Sequence, residues 1–251
     1  MKKTGYKMPN SMAGGALQYA YKTKLGLFGH LQANPPYGEL FSHFMAGYHE
    51  GRPSWMDPGF FPIQEKLIDG ARHGDGEVFL VDIAGATGYD LEEYLQKHPS
   101  PPGRLVLQDL PAVIGQIYNL SEEIERMSYD FFTEQPLKGS RVYFMHYILH
   151  DWSDETCLKI LARVTEAMEP GYSKFLINEN VVPSRNAHWD TTALDMQLMI
   201  TLSSRERTEE DWISLLKAGG LKICKIWSVS GGCECLIECE LARTNPATGF
   251  D

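Results

Sequence analysis

The amino-acid sequence predicts an α/β fold with a doubly wound, mostly parallel sheet that ends in an antiparallel hairpin. Four short apolar runs between residues 78 and 182 alternate with helical windows, as buried parallel strands joined by helices do. The last two apolar runs, 221–229 and 234–242, are separated by so short a connection that their strands must be antiparallel. Before residue 75, apolar side chains recur every three or four positions, which predicts a small helical segment ahead of the sheet.

Proline, glycine and capping residues place the elements along the chain. We expect a helical region over 16–72 with a break at 34–36 and a helix near 62–71, strands at 78–84, 104–110, 141–149 and 173–182, and helices at 153–169 and 209–218. Ser153 can cap the start of its helix, and Pro170 and Gly171 can end it. These elements predict a helical segment at 1–75, a sheet domain at 76–243 and a tail at 244–251.

The charge balance excludes several classes of partner. The chain has 33 acidic and 23 basic residues, a net charge of −10, and no basic cluster, so we expect neither nucleic acid nor an anionic membrane as a partner. No apolar run is long enough to span a bilayer. The first residues lack the apolar core of a secretory signal, and the cysteine count of five is odd, which together predict a reduced, cytoplasmic protein.

Three of the cysteines lie close together near the end of the chain. Cys233, Cys235 and Cys239 alternate along a predicted strand, where free cysteine behaves as a small apolar side chain. Structural zinc needs four ligands in a closed site, and neither a CxxC pair nor well-spaced histidines accompany these residues. We therefore favour a buried strand over a metal site, and we expect no metal.

The stretch VDIAGATGYD, residues 81–90, lies between a strand and a helix, which is the position of a cofactor loop. Gly85 and Gly88 allow a tight turn and close approach of the backbone to a ligand. Asp109 ends the next strand, where a carboxylate can bind a ribose diol. The acidic start of the following helix disfavours pyrophosphate and favours a neutral or cationic ligand such as S-adenosylmethionine. The alternative is a tight turn that binds nothing.

A second group of polar residues follows the strands further along the chain. His150 lies between a strand and the helix capped by Ser153, and hence at the carboxyl edge of the sheet, where a histidine can act as a general base. The next strand ends in Asn178-Glu179-Asn180, and Glu206 precedes another helix. Two carboxylates beside one histidine would orient its ring and raise its basicity. The alternative is that His150 belongs to a capping turn.

Together with these motifs, the runs LVLQDLP, YDFFTEQP, LHDWSDE, AMEPGYSKFLINENVVP and SSRERTEEDW occur in a characteristic order. From about residue 16 to 242 the chain resembles the catalytic region of caffeic-acid-type plant and fungal small-molecule O-methyltransferases, and within them the fungal branch of secondary metabolism. The resemblance implies a class I methyltransferase (Rossmann-like) fold, S-adenosyl-L-methionine as cofactor, a small hydroxylated acceptor that is phenolic or polyketide-like, and metal-independent chemistry.

The resemblance also implies roles for individual residues. His150 would be the base, with Glu179 and Glu206 as its partners. Cofactor contacts are implied for Asp82, Gly85, Gly88, Asp109, Leu110, Asp130, Phe131 and His146, the last at the position where plant members carry a lysine. Acceptor contacts are implied for Phe44, Met45 and Met199, which could equally be ordinary helix core.

Two departures from the family pattern bear on the function. The family normally carries about 100 further N-terminal residues, a winged-helix segment that forms the dimer and closes the acceptor pocket, so the oligomeric state stays open. Ala84 and Ala86 replace loop glycines, which would weaken cofactor binding if their methyl groups force overpacking. These departures keep an alternative open: a protein of the same fold that binds the cofactor but catalyses a non-methylating rearrangement, or that is a non-catalytic biosynthetic partner.

Overall fold

The computed structural model describes residues 2, 5, 14–48, 51–229 and 234–242. The helices are α1 (Ala16–Tyr21), α2 (Leu27–Ala33), α3 (Tyr37–Tyr48), α4 (Tyr89–Lys97), α5 (Pro111–Ile114), α6 (Asp154–Thr165), α7 (Trp189–Thr201) and α8 (Glu209–Ala218). The strands are β1 (Val78–Ile83), β2 (Arg104–Asp109), β3 (Ile124–Ser128), β4 (Val142–His146), β5 (Lys174–Val182), β6 (Arg207–Thr208), β7 (Leu221–Trp227) and β8 (Glu234–Leu241). A π-helical turn covers Gln64–Ile68, and a 3₁₀ turn covers Leu149–Asp151.

The strands form one sheet in the order β3-β2-β1-β4-β5-β8-β7, with β6 paired to β5. Pairs from β3 to β5 are parallel, whereas β8 is antiparallel to both β5 and β7. The order reverses between β1 and β4, and at such a switch point doubly wound sheets form a crevice outside the carboxyl ends of their strands. The predicted doubly wound sheet with its antiparallel hairpin is confirmed.

The local signals explain the helix boundaries. The Ser153 side chain accepts a hydrogen bond from the Thr156 amide at the start of α6. Thr208 and Asp211 form a reciprocal capping box at the start of α8, which covers the predicted residues. Both helices turn their apolar side chains toward the sheet.

The core has two layers, one on each face of the sheet, because successive side chains of a strand point to opposite faces. One layer packs the segment around Trp55 and Phe61 and helix α4 against the sheet. The other packs α6 and α8 against the opposite face. Cys235 and Cys239 are buried in β8, whereas Cys233 lies outside the described residues. Among the residues described, no helix has the length and apolar character needed to cross a membrane.

Several elements differ from the sequence prediction. The strand predicted over 141–149 ends at His146, because Tyr147 adopts a left-handed backbone conformation with φ 53°. The helix predicted near 62–71 is the shorter π-helical turn. The sequence does not predict strand β3, since only Ile124 and Met127 of its five residues are apolar and the run is too short for a clear pattern.

Candidate active site

The glycine loop joins β1 to α4 and is fixed by hydrogen bonds to the neighbouring strand. The amides of Ala84 and Gly85 both donate to the Gln108 carbonyl, at 2.7 and 3.3 Å. The Ala86 amide donates to Asp109 Oδ2 at 2.9 Å, so the carboxylate predicted to bind ribose also fixes the loop. Asp109 Oδ1 accepts from the Leu110 amide at 2.7 Å. The loop and the end of β2 therefore form one rigid unit.

Both alanines of the loop occupy the left-handed region, with φ 61° at Ala84 and φ 50° at Ala86. The unfavourable feature of each alanine is thus backbone strain, which glycine would not have. Gly88 has φ 81°, and a Cβ there would lie 2.6 Å from Leu120 Cδ1. A Cβ at Gly85 would overlap the carboxylate of Asp82. Both glycines are therefore required by the geometry.

Asp82 is a buried carboxylate beneath this loop, and neither of its oxygens has a hydrogen-bond partner. Burial, and then the nearby Asp90, raise its pKa well above the ordinary value, while His146 opposes this effect. An unpaired buried carboxylate is unfavourable unless a cation compensates it. Such a carboxylate fits a cationic cofactor such as S-adenosylmethionine, for which Asp109 can hold the ribose.

His146 lies between two carboxylates at the end of β4. Its Nδ1 is 2.9 Å from Asp90 Oδ2, and its Nε2 is 3.1 Å from Glu234 Oε1. Asn178 and Tyr147 also donate to Glu234, at 2.7 and 2.9 Å. Burial alone would lower the pKa of His146, but Asp90 and then Glu234 outweigh burial and raise it well above the ordinary value. Burial would raise the pKa of Glu234, but its hydrogen bonds, that from His146 above all, outweigh burial and lower this pKa to about 2. His146 is therefore held as an imidazolium.

Asp130 and Phe131 lie just after β3, beside the end of β2. Asp130 Oδ1 accepts from the Phe132 amide at 3.0 Å. The rings of Phe131 and Phe132 both meet Trp152 edge to face, at centroid distances of 6.0 and 5.2 Å. This aromatic cluster can offer apolar contact to a flat base.

The predicted base and its two partners come together. His150 Nδ1 lies 3.2 Å from Glu206 Oε1 and 3.6 Å from Glu179 Oε2. Glu179 Oε1 accepts from the amides of Leu149 and His150, at 2.8 and 3.2 Å. A third carboxylate, which the sequence analysis did not single out, is Asp151, whose Oδ1 lies 3.4 Å from His150 Nε2. His150, Glu179 and Glu206 are all buried.

The three carboxylates control the charge of His150. Burial would lower its pKa, but Glu179, the hydrogen bond to Glu206, and Asp151 outweigh burial and raise the pKa to about 9. Burial raises the pKa of Glu179 to about 7 and that of Asp151 to about 6, and the charge of His150 partly offsets both shifts. In the resting state His150 is an imidazolium, so it must lose a proton before it can act as a base.

A buried arginine fixes the turn that carries His150. Arg207, in β6, donates to the carbonyls of Leu149 and Trp152 at 2.8 and 2.7 Å and to Asp154 Oδ1 at 2.8 Å. The Ser204 hydroxyl donates to the carbonyl of His150 itself. These contacts hold the backbone on both sides of the histidine.

Two cavities adjoin at the carboxyl edge of the sheet. One is open to solvent and extends from Arg52 past Asp90 and His146 to Glu234. The other is smaller and is lined by Arg52, Asn180, Asp190, Thr191 and Leu194. None of Phe44, Met45 and Met199 lines either cavity: Phe44 is 52% exposed on α3, and Met45 and Met199 are partly buried on α3 and α7. Their assignment to the acceptor stays a prediction.

The side chains around His150 also contain the atoms of a possible metal site. Within the described residues, ligating atoms of His150, Glu179 and Glu206 lie within 4.8 Å of one another. Glu179 Oε2 and Glu206 Oε2 have no hydrogen-bond partner. The nitrogen of His150 that faces them is engaged as a donor to Glu206, which favours a charge-paired histidine over a ligand.

Comparison with known proteins identifies the family of the chain. A family model described as an O-methyltransferase domain matches residues 74–222. The chain belongs to this O-methyltransferase family. Its fold is that of the class I methyltransferases, as the resemblance implied.

The curated relatives of this family member come from fungi. The O-methyltransferase mpaG of Penicillium brevicompactum is 39% identical over 96% of this chain and 61% of the relative. The O-methyltransferase mfmE of Annulohypoxylon moriforme is 38% identical over 95% of this chain and 58% of the relative. The chain thus spans about three fifths of the length of these relatives.

Several solved structures have a similar fold. The complex of LepI with SAM matches with a TM-score of 0.85 and 28% identity, over 96% of this chain and 61% of that chain. OxaC with sinefungin and meleagrin also matches with a TM-score of 0.85, at 29% identity over 96% of this chain and 61% of that chain. A structure described as a pericyclic reaction enzyme matches equally well, with a TM-score of 0.85.

Proposed function

We propose that the chain is the catalytic part of an S-adenosylmethionine-dependent O-methyltransferase that acts on a hydroxyl group of a small phenolic or polyketide-like metabolite. The observation that carries the proposal is the position of His150, held by Glu179 and Glu206 at the same sheet edge as a glycine loop with an unpaired buried carboxylate. A loop that only bound a ligand would need no such base. The relatives named as O-methyltransferases support the reaction type.

The residues of the chain divide the work between binding and proton transfer. When bound, the cofactor supplies an electrophilic methyl group on its sulfonium. Asp109 and the loop around Gly85 hold the ribose and the adjoining chain, while Phe131 contacts the adenine. Unprotonated His150 accepts the proton of the acceptor hydroxyl, and Glu179 and Glu206 stabilise the imidazolium that forms. Alignment of the acceptor oxygen with the methyl group supplies the rest of the acceleration.

Several finer assignments belong to the same proposal. We assign residues 76–243 to cofactor binding and catalysis, and the helices before residue 75 to the acceptor side. We expect metal-independent turnover in the cytoplasm, with no nucleic-acid partner. The net charge of −10 supports the absence of a nucleic-acid partner.

Cofactor titration is the first test. Calorimetry with S-adenosylmethionine and S-adenosylhomocysteine should show saturable binding to the protein. Incubation with a panel of phenols should then add the mass of one methylene to a product, with EDTA making no difference. His150→Ala should lower turnover at least 100-fold and leave the cofactor Kd within about twofold, since a general base contributes roughly 10²–10⁴-fold. Unchanged turnover in this variant would refute the assigned base.

A non-methylating rearrangement is the second candidate. It is favoured by the equally good structural match to a pericyclic reaction enzyme. Product mass separates the two functions, because a rearrangement changes the structure of the substrate without adding a methylene. Substrate conversion at constant mass, with cofactor bound and not consumed, would support the second candidate over the first.

A further inference from the structure

Asn180 is a buried amide that contacts a partner of the proposed base. Its Nδ2 donates to Glu206 Oε1 at 2.9 Å, and the same oxygen lies 3.2 Å from His150 Nδ1. The Asn180 backbone is fixed in turn, because Trp212 Nε1 donates to its carbonyl at 3.1 Å. A carboxylate oxygen that accepts from two fixed donors has little freedom to rotate. Asn180 thus holds Glu206 in the orientation that faces the histidine.

Tyr147 fixes the histidine from another side. Its ring lies nearly parallel to the imidazole of His150, at a centroid distance of 5.1 Å and 22° between planes. The Tyr147 ring also stacks on His146, at a centroid distance of 4.8 Å. The Tyr147 hydroxyl donates to Glu234 Oε2 at 2.9 Å and lies 3.5 Å from Asn180 Oδ1.

The backbone of Tyr147 shows how firmly this ring is placed. Its φ of 53° is unfavourable for a residue with a bulky side chain, so the surroundings must maintain it. The Tyr147 amide donates to the Asn178 carbonyl at 3.0 Å, and the residue is 6% exposed. From this left-handed turn, at the end of β4, the Tyr147 ring stacks on both His146 and His150.

We propose that Asn180 and Tyr147 are positioning residues for His150: Asn180 fixes the carboxylate of Glu206, and Tyr147 fixes the plane of the imidazole. The inference rests on the proposed role of His150 as the base. Neither residue needs to touch the reacting atoms, since both act through the histidine. Glu206 presents the acceptor for Nδ1, which leaves Nε2 as the nitrogen that exchanges a proton.

The surrounding charges define what each substitution does. His150 faces the carboxylates of Asp151, Glu179 and Glu206, and Arg207 lies close to Glu179. Asn180→Leu keeps the volume and the net charge of this group but releases Glu206. Asn180→Asp adds a fourth carboxylate, which stabilises the imidazolium and raises the pKa of His150 further.

The test uses nitrogen NMR of protein labelled with ¹⁵N at histidine and asparagine, with S-adenosylhomocysteine bound. Loss of a resonance in His150→Gln assigns the ring nitrogens of His150. In the wild-type protein, the ¹⁵N chemical shift of the Asn180 side-chain amide should change with pH, with the same midpoint as the ring nitrogens of His150. Asn180→Asp should raise the His150 midpoint by about half a pH unit or more. Asn180→Leu should instead move the ¹⁵N chemical shift of His150 Nδ1 in the direction expected for a weaker hydrogen bond to Glu206.

Asn178→Asp is the matched control, since Asn178 lies two residues earlier on the same face of β5 but contacts His146 and Glu234. It should leave the His150 midpoint within about 0.2 pH units, because its added charge is paired with the other histidine. An equal shift in both aspartate variants would mean that long-range charge, and not the contact with Glu206, moves the titration. That result would overturn the inference.

Kinetics provide a separate readout on an acceptor that is turned over. Asn180→Leu should lower kcat about tenfold with acceptor KM and cofactor Kd unchanged, and Asn180→Ser, which keeps a donor, should recover part of the loss. The kcat of Tyr147→Phe should stay closer to the wild-type value than that of Tyr147→Leu, which loses the stacked ring.

If the variants fail to fold, the wild-type titration decides: an Asn180 amide whose chemical shift does not follow the titration of His150 refutes the inference. An absence of methyl transfer would refute the proposed function and leave the NMR result standing.

Discussion

At the scale of single residues, the charge state of His150 sets the pH range in which the site can work. Three carboxylates keep it protonated below about pH 9, whereas the proposed reaction requires the neutral imidazole. The kcat/KM of the enzyme should therefore rise with pH, with a midpoint near 9 in the free enzyme. A pH profile measured with a confirmed acceptor checks this value.

Glu179→Gln provides the control for that profile. Glu179 is the neighbour that raises the pKa of His150 most, and glutamine can still accept from the Leu149 and His150 amides. The midpoint should move down toward 6.5, the ordinary value for histidine. A profile unchanged by this substitution would show that its rising limb belongs to another group.

The two loop alanines carry the second prediction at this scale. Ala84 and Ala86 both have positive φ, so glycine at either position should relieve strain. After the greater freedom of glycine in the unfolded chain is subtracted, each substitution should raise the free energy of unfolding by about 0.5–1 kcal/mol in urea. Ala162→Gly, in the middle of α6, should lower it by about 1 kcal/mol. Changes of the same sign at all three positions would contradict this account of the strain.

At the scale of secondary structure, the two-residue strand β6 has an effect beyond its length. It places Arg207 beneath the 3₁₀ turn, where the guanidinium bonds two carbonyls and Asp154 at once. Lysine cannot reproduce this forked geometry. Arg207→Lys should lower the free energy of unfolding by about 2–4 kcal/mol, because buried acceptors lose their donors.

Arg205→Lys is the comparison, since Arg205 is only two residues away, 41% exposed, and paired with Asp211 at the surface. This substitution should cost less than about 1 kcal/mol. Urea unfolding followed by circular dichroism measures both variants. Similar losses of unfolding free energy in the two variants would show that the contacts of Arg207 with the 3₁₀ turn contribute no more than an ordinary surface ion pair.

At the scale of the whole molecule, the two buried histidines make stability depend on pH. The folded protein keeps protons on His146 and His150 at pH values where the unfolded chain has released them. Stability from these groups is therefore complete below about pH 6.5 and is lost as pH rises through the folded pKa. For His150 the loss amounts to about 3 kcal/mol by pH 9.5.

Urea unfolding at pH 6.5 and 9.5 tests this dependence, with the midpoint expected to fall. His146→Gln should flatten the curve between these values, since its charge no longer titrates. His188→Gln should not, because His188 is 58% exposed and pairs with Asp190 at the surface. A wild-type midpoint that rises with pH would reverse the assigned direction of the pKa shifts.

Much of the fold could be predicted because its signals are local. Alternating apolar runs located the strands, and Ser153 and Thr208 mark helix starts that depend on a few neighbouring residues. The end of β4 could not be predicted, because the left-handed turn at Tyr147 is imposed by its surroundings. The same is true of the π-helical turn that replaced a longer helix.

For the candidate site too, residues with local sequence signals could be predicted, whereas residues that depend on distant strands could not. His150, Glu179 and Asp109 could be named as candidates because each lies at or near the carboxyl end of a strand that the sequence predicts. Glu234 could not, since it meets His146 only when β8 lies beside β5. One signal was available for Asn180: the run Asn178-Glu179-Asn180 is polar inside a strand that is otherwise buried. Consecutive polar residues in a core strand need partners from elsewhere, and here they indicate the site.

The position of β8 also determines when the protein can fold during its synthesis. Among the strands of the described residues, β8 comes last in sequence, yet it lies between β5 and β7 and is the strand that pairs with β7 there. Until residues 234–241 leave the ribosome, β5 has an open edge, β7 has no place in the sheet, and His146 lacks one of its carboxylates. A nascent chain shortened before Glu234 should therefore expose apolar sheet surface and be recognised by chaperones or proteases. Synthesis through residue 241 is thereby coupled to assembly of the sheet edge that carries His146 and His150.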